Sequence, residues 1–173
     1  YVPAADISYI GLKYALDNTA AIVNYLEAYF DVPFPYPKLD LIASPDAGGG
    51  MENAGAIVYG DARLLLDDHP SPQERRGFGG IHAHELAHQW FGDLVTAKSG
   101  KDHWLQEGFA TYYALLAEKA VFGEDYFYHK LYNMSKQLIE ASKTDTIPLL
   151  NEKASSLSFY QKGAMALFVL NES

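Results

Sequence analysis

Apolar residues recur at helical spacing through residues 6–30 (Ile10, Tyr14, Leu16, Ile22, Val23, Leu26, Phe30) with few breakers between them, which predicts a long amphipathic helix. The run Val32-Pro33-Phe34-Pro35-Tyr36-Pro37 ends it, because proline has no N–H to donate and its ring blocks helical continuation. The alternation Leu39-x-Leu41 predicts a strand over 38–43, and residues 56–59 and 63–66 predict two more about a turn at Gly60-Asp61. Ser71-Pro72-Gln73-Glu74 has the form of a capping box with proline at the first helical position, so a helix opens there and runs toward a stop at Gly92. Gly77, Gly79 and Gly80 weaken that helix by roughly 1 kcal/mol each relative to alanine, and close packing is the only reason the pattern offers for them. Three more helices follow: about 102–121, capped by Asp102 or Ser99, then 124–142 and 156–171. A small sheet packed on several helices makes the fold class α+β.

Composition narrows this only a little. With 173 residues and 49% apolar content, the chain forms one domain or at most two small lobes. The net charge of −9 argues against nucleic acid or an anionic membrane surface as partner, and mildly favours amine-bearing ligands. No apolar run is long enough to predict a membrane span. The sequence starts at Tyr1 without Met and stops at Ser173 just after an apolar helical run, so a piece of a longer chain is expected. Zero cysteines removes thiolates from any metal site, leaving histidine and carboxylate as ligands.

That restriction matters because of His84-Glu85-Leu86-Ala87-His88. Two histidines four apart on a helix stand one turn above each other on the same face, where both imidazoles can reach one tetrahedral metal. An H-E-x-x-H helix of this kind reads as a zinc site with its glutamate as general base. A third histidine in the extended H-x-x-G-x-x-H pattern would stand at position 94, which is Leu94. The third ligand therefore falls to a downstream carboxylate, and Glu107 follows His88 after eighteen intervening residues, at the start of an apolar helical run. Three protein ligands leave a fourth position open, the arrangement of a catalytic rather than a structural zinc. Thr111, four residues after Glu107, shares its helix face and is placed to support a ligand. His82 points around the helix from the ligand pair and reads as a surface or second-shell residue.

Two other stretches stand out less sharply. Gly48-Gly49-Gly50-Met51-Glu52-Asn53 is flexible enough to bring backbone close to a ligand, and it sets Glu52 at a sheet edge beside a groove. Tyr160 lies among Phe159 and later apolar positions, and on pattern alone it reads as core.

Taken together, Gly49-Gly50-Met51-Glu52-Asn53, then His84 to Gly92, then Trp104-Leu105-Gln106-Glu107-Gly108-Phe109-Ala110, resemble the M1 family of zinc aminopeptidases, members of the gluzincins. Tyr160-Gln161-Lys162-Gly163-Ala164 is similar to the family's Y-x-K-G segment. The resemblance implies a thermolysin-like catalytic domain over residues 1–173, holding one zinc ion on His84, His88 and Glu107 with Glu85 as base. It implies that Glu52 binds the free α-amine of a peptide substrate, that Gly49, Gly50, Met51 and Asn53 belong to the same substrate-binding loop, and that Tyr160 hydrogen-bonds the oxyanion. The sequence departs from the family at Gln106, where asparagine is common. The family's N-terminal β domain and C-terminal helical domain are absent from these residues, so this lobe is expected to be weakly active or inactive by itself. The competing readings are a thermolysin-like endopeptidase, a non-catalytic scaffold that kept the fold, and the epoxide hydrolase activity of one family branch.

Overall fold

The computed structural model describes residues 10–67 and 69–173. Its first helix, α1 (Ile10–Phe30), buries Ala15, Ile22 and Leu26 on one stripe, the amphipathic face its spacing predicts. Residues 6–9 of the expected helix lie outside the described residues. After the proline-rich turn come β1 (Asp40–Ser44), β2 (Gly50–Met51) and β3 (Ala56–Gly60). They form a mixed sheet in the order β1-β3-β2, with β1 parallel and β2 antiparallel to β3. Ile57 and Tyr59 alternate inward from β3 and are fully buried.

The strand expected over 63–66 is not formed. The chain instead makes a short helix, α2 (Asp61–Leu64), and the hairpin partner of β3 is the upstream Gly50–Met51 pair. A short apolar run does not fix its own period, and here one helical turn is enough to bury Leu64 completely.

α3 (Pro72–His88) opens with the expected capping box: the Glu74 amide donates to Ser71 Oγ at 3.2 Å and the Ser71 amide donates to Glu74 Oε2 at 2.7 Å. It ends at His88, four residues before Gly92. The amides of Asp93, Leu94 and Val95 then bond back to the carbonyls of His88, Gln89 and Trp90 as the chain turns away. Gly79 and Gly80 face side chains from the end of α4 (Trp104–Phe122) at close range: a Cβ on the first would stand 3.0 Å from the Phe122 ring, and one on the second 2.9 Å from Glu118 Oε1. Ser99 and Asp102 do not cap α4. They bond to each other across a 3₁₀ turn, Gly100–Asp102, that precedes it.

α4 is the centre of the molecule. Ala110, Ala114 and Ala117 face a core shared with α1, α3 and the sheet, while Tyr112 and Leu115 face a second core with α5 (Glu124–Ala141) and α6 (Gly163–Asn171). A helix buried on two sides carries only a weak amphipathic signal. α6 crosses α4 at Gly108 and Gly163, where a Cβ on Gly163 would sit 2.9 Å from the Gly108 Cα. That close approach sets a π-helical turn, Ser158–Lys162, over the start of α4. The apolar spacing over 156–171 predicts regular helix there, and the structure departs from it at this turn. Among the described residues, no helix is long and apolar enough to cross a membrane.

Candidate metal centre

His84 and His88 lie one turn apart on α3, and Glu107 faces them from the first turns of α4. Thr111 Oγ1 stands 3.4 Å from His84 Nδ1, and the Phe91 carbonyl oxygen 2.9 Å from His88 Nδ1. Both oxygens stand on the Nδ1 side of the rings, which leaves Nε2 facing inward. The two Nε2 atoms are 3.0 Å apart, and each is 3.3 Å from Glu107 Oε2. Bonds of about 2.0–2.2 Å to a tetrahedral zinc place its ligand atoms roughly 3.3–3.6 Å apart. The triangle therefore fits that ion in donor chemistry and in size. Glu107 is 5% exposed and has a third histidine beside it, His103, at the N-terminal cap of α4, whose Nε2 is 3.4 Å from Oε1. The sequence reading missed His103, although its four-residue spacing from Glu107 was a usable signal.

Two carboxylates stand beside the triangle. Glu85 is buried on the adjacent face of α3, and donor atoms of Glu52, Glu85 and His88 lie within 4.8 Å of one another. Glu52 directly follows edge strand β2, at the position expected of it. Gly50, on that strand, packs against Glu85: a Cβ there would stand 2.2 Å from Glu85 Oε1. Gly50→Ala is accordingly expected to keep the metal but displace Glu85, costing about 10²-fold in kcat. Steady-state kinetics with metal analysis checks this, and an unchanged kcat would contradict it. Gly49 gives its carbonyl to the Gly60 amide at 2.9 Å, Met51 pairs with Val58, and the Asn53 carbonyl closes a turn with Ala56.

Tyr160, read as core from pattern alone, is instead 38% exposed, and its ring stacks on His84 at 5.5 Å between centroids. An open cavity of about 630 Å³ reaches from Gly50, Glu85 and Tyr160 along α3 past Ile81, toward Lys130 and Met134. His82 is not a surface residue. It is fully buried between α1 and β3, where Tyr59 donates to its Nδ1 at 2.7 Å and its Nε2 donates to Thr19 at 2.8 Å. Thr19 in turn donates to the Ala15 carbonyl, and burial pushes His82 down to about 3, so it stays neutral.

The electrostatics of the cluster call for a cation. Burial pushes Glu85 up to about 7; His88 opposes this, while the charges of Glu52, Glu107 and Asp93 add to it. Burial also disfavours ionised Glu107, but hydrogen bonding from His84 and His88 outweighs it and holds the carboxyl well below the usual range. Burial lowers His84. It also disfavours protonated His88, yet Glu107 raises that ring above the ordinary histidine value. Burial raises the Tyr160 phenol, and the surrounding carboxylates raise it further, so it keeps its proton at neutral pH.

A sequence model of the peptidase family M1 domain matches residues 14–172. Endoplasmic reticulum aminopeptidase 2 of Homo sapiens is 39% identical over 173 residues, covering 92% of this chain and 18% of that protein. Endoplasmic reticulum aminopeptidase 1 of Mus musculus is 38% identical over 170 residues, with the same two shares. Aminopeptidase M1 of Arabidopsis thaliana is 45% identical over 114 residues, or 65% of this chain and 13% of that protein. The chain thus spans less than a fifth of the length of these curated relatives.

Proposed function

The chain belongs to peptidase family M1, and from that premise we propose that it is the zinc-binding catalytic lobe of an aminopeptidase, removing one residue at a time from the free N-terminus of a peptide. One observation carries this reading: the inward-turned triangle of His84, His88 and Glu107 has two carboxylates beside it, Glu85 and Glu52, that the triangle does not use.

His84 Nε2, His88 Nε2 and Glu107 Oε2 would hold the zinc. Bound there, it supplies a Lewis acid that polarises a carbonyl and acidifies water. Glu85 accepts the proton of the attacking water and delivers it to the departing amine. Tyr160 keeps its proton and donates a hydrogen bond to the carbonyl oxygen as that atom gains charge. Glu52 pairs with the substrate's α-ammonium, which limits the chain on its side to one residue. The cavity runs from Gly50 and Glu85 along α3 past Ile81, and takes the remainder of the peptide.

The carboxylate of Glu52 favours this reading over an endopeptidase, because an internal peptide would leave that charge unpaired. Glu52→Ala tests it. The expected result is a KM for a free aminoacyl amide raised by about 10-fold or more, the scale of a lost charge-assisted hydrogen bond, with weakened discrimination against the N-acetylated amide. Cleavage of the two substrates in the wild-type ratio would refute the amine-binding role.

A further inference from the structure

Gln89 follows the second histidine directly and is completely buried. Its side chain does not turn toward the metal triangle. Nε2 donates to the backbone carbonyl of Glu52 at 2.9 Å, and Oε1 accepts from the backbone amide of Gly55 at 2.8 Å. The chemistry of the partners fixes this orientation of the amide, since a carbonyl can only accept and an N–H can only donate. One planar group thus fastens both ends of the loop 52–55 to the end of α3. The loop is held from its other side as well: the Gly55 carbonyl accepts from the Asp40 amide at 3.0 Å, and Asn53 and Ala56 close the turn between at 2.8 Å.

We infer that Gln89 is a positioning residue, which sets the distance between Glu52 and the metal helix and so the register of the substrate's amine against the reacting carbonyl. The inference rests on the amine-binding reading of Glu52. A primary amide offers a neutral donor and a neutral acceptor on two separate atoms of one planar group, so it can bond the Glu52 carbonyl and the Gly55 amide at once. Asparagine is one methylene shorter, and glutamate would set a carboxylate against the Glu52 carbonyl. The β2–β3 pairing cannot do this work alone, because it covers only Gly50 and Met51 and stops one residue short of Glu52.

Gln89→Met keeps the volume and removes both bonds. In the purified protein, KM for a free aminoacyl amide is expected to rise about tenfold, the scale of a lost buried hydrogen bond. Zinc content should be unchanged, kcat should fall less than KM rises, and discrimination against the N-acetylated amide should weaken. The double variant Gln89→Met, Glu52→Ala separates positioning from general damage. If Gln89 acts through Glu52, the double variant has the KM of Glu52→Ala alone; two independent defects would multiply. Multiplying defects, or an unchanged KM in Gln89→Met beside a raised one in Glu52→Ala, overturns the inference and leaves the Glu52 reading intact. A silent Glu52→Ala overturns both. The wild-type protein gives a check that no folding failure can spoil: the Gly55 amide should exchange with solvent at least about 10²-fold slower than in an unstructured peptide. Exchange at the free-peptide rate would show that the bridge does not persist.

Discussion

Glu85→Gln is expected to lower turnover by about 10²–10⁴-fold, the range for loss of a positioned general base, while the protein keeps its zinc. The substitution preserves shape, so the packing against Gly50 survives, and it removes only the ability to take a proton. Glu85 is suited to that task by its surroundings. It is buried, its Oε2 has no hydrogen-bond partner within the protein, and before metal binds burial, followed by the charges of Glu52, Glu107 and Asp93, raises its affinity for a proton against the opposing effect of His88. It is also outside the triangle of Nε2 and Oε2 atoms, so metal should not depend on it. Paired kinetic and metal analysis decides the matter. Loss of metal along with activity would make Glu85 a structural residue.

Removing the metal should be the more damaging change to the molecule as a whole. Chelation is expected to abolish hydrolysis and also to lower Tm. A ligand present at 1,000 times its Kd stabilises the folded state by about 4 kcal/mol. For a chain of this length that corresponds to roughly 8–16 °C. The cluster adds its own reason: without a cation, the buried carboxyls of Glu107 and Glu85 have only the two histidines to offset them, and an unpaired buried charge is costly. Calorimetry before and after chelation, with restoration by added zinc, measures both effects. An unchanged Tm would mean that the triangle contributes nothing to the fold.

What the sequence disclosed depended on whether the information was local. The capping box at Ser71–Glu74 and the helix over 124–142 are short-range patterns, and the structure forms both, the second as Glu124–Ala141. His84, Glu85, His88 and Glu107 were legible because a helix turn fixes the first three relative to one another, and the absence of cysteine and of a histidine at 94 narrowed the fourth. Positions set by distant partners were not legible. No strand forms over 63–66 because the turn of helix Asp61–Leu64 ends inside that run and buries Leu64, and β2 is only two residues long, too short to show a period. His82 reads as a surface or second-shell residue because nothing in its neighbourhood reveals that Tyr59 and Thr19 satisfy both ring nitrogens in the core. Tyr160 reaches the site only because a π-helical turn and the Gly108–Gly163 crossing re-aim it, and the apolar pattern registers neither. Gln89 gave no signal beyond its place in the chain, since both of its partners lie more than thirty residues upstream.

The central claim is that three side chains hold one zinc ion beside a base and an amine-binding carboxylate. Metal content of the purified protein, read alongside hydrolysis of a free and an N-acetylated aminoacyl amide, tests it most directly. The expected result is one equivalent of zinc per chain, with any cleavage, however slow in the isolated lobe, confined to the free amine. Protein that takes up no zinc, or that cleaves both amides equally well, would contradict the account.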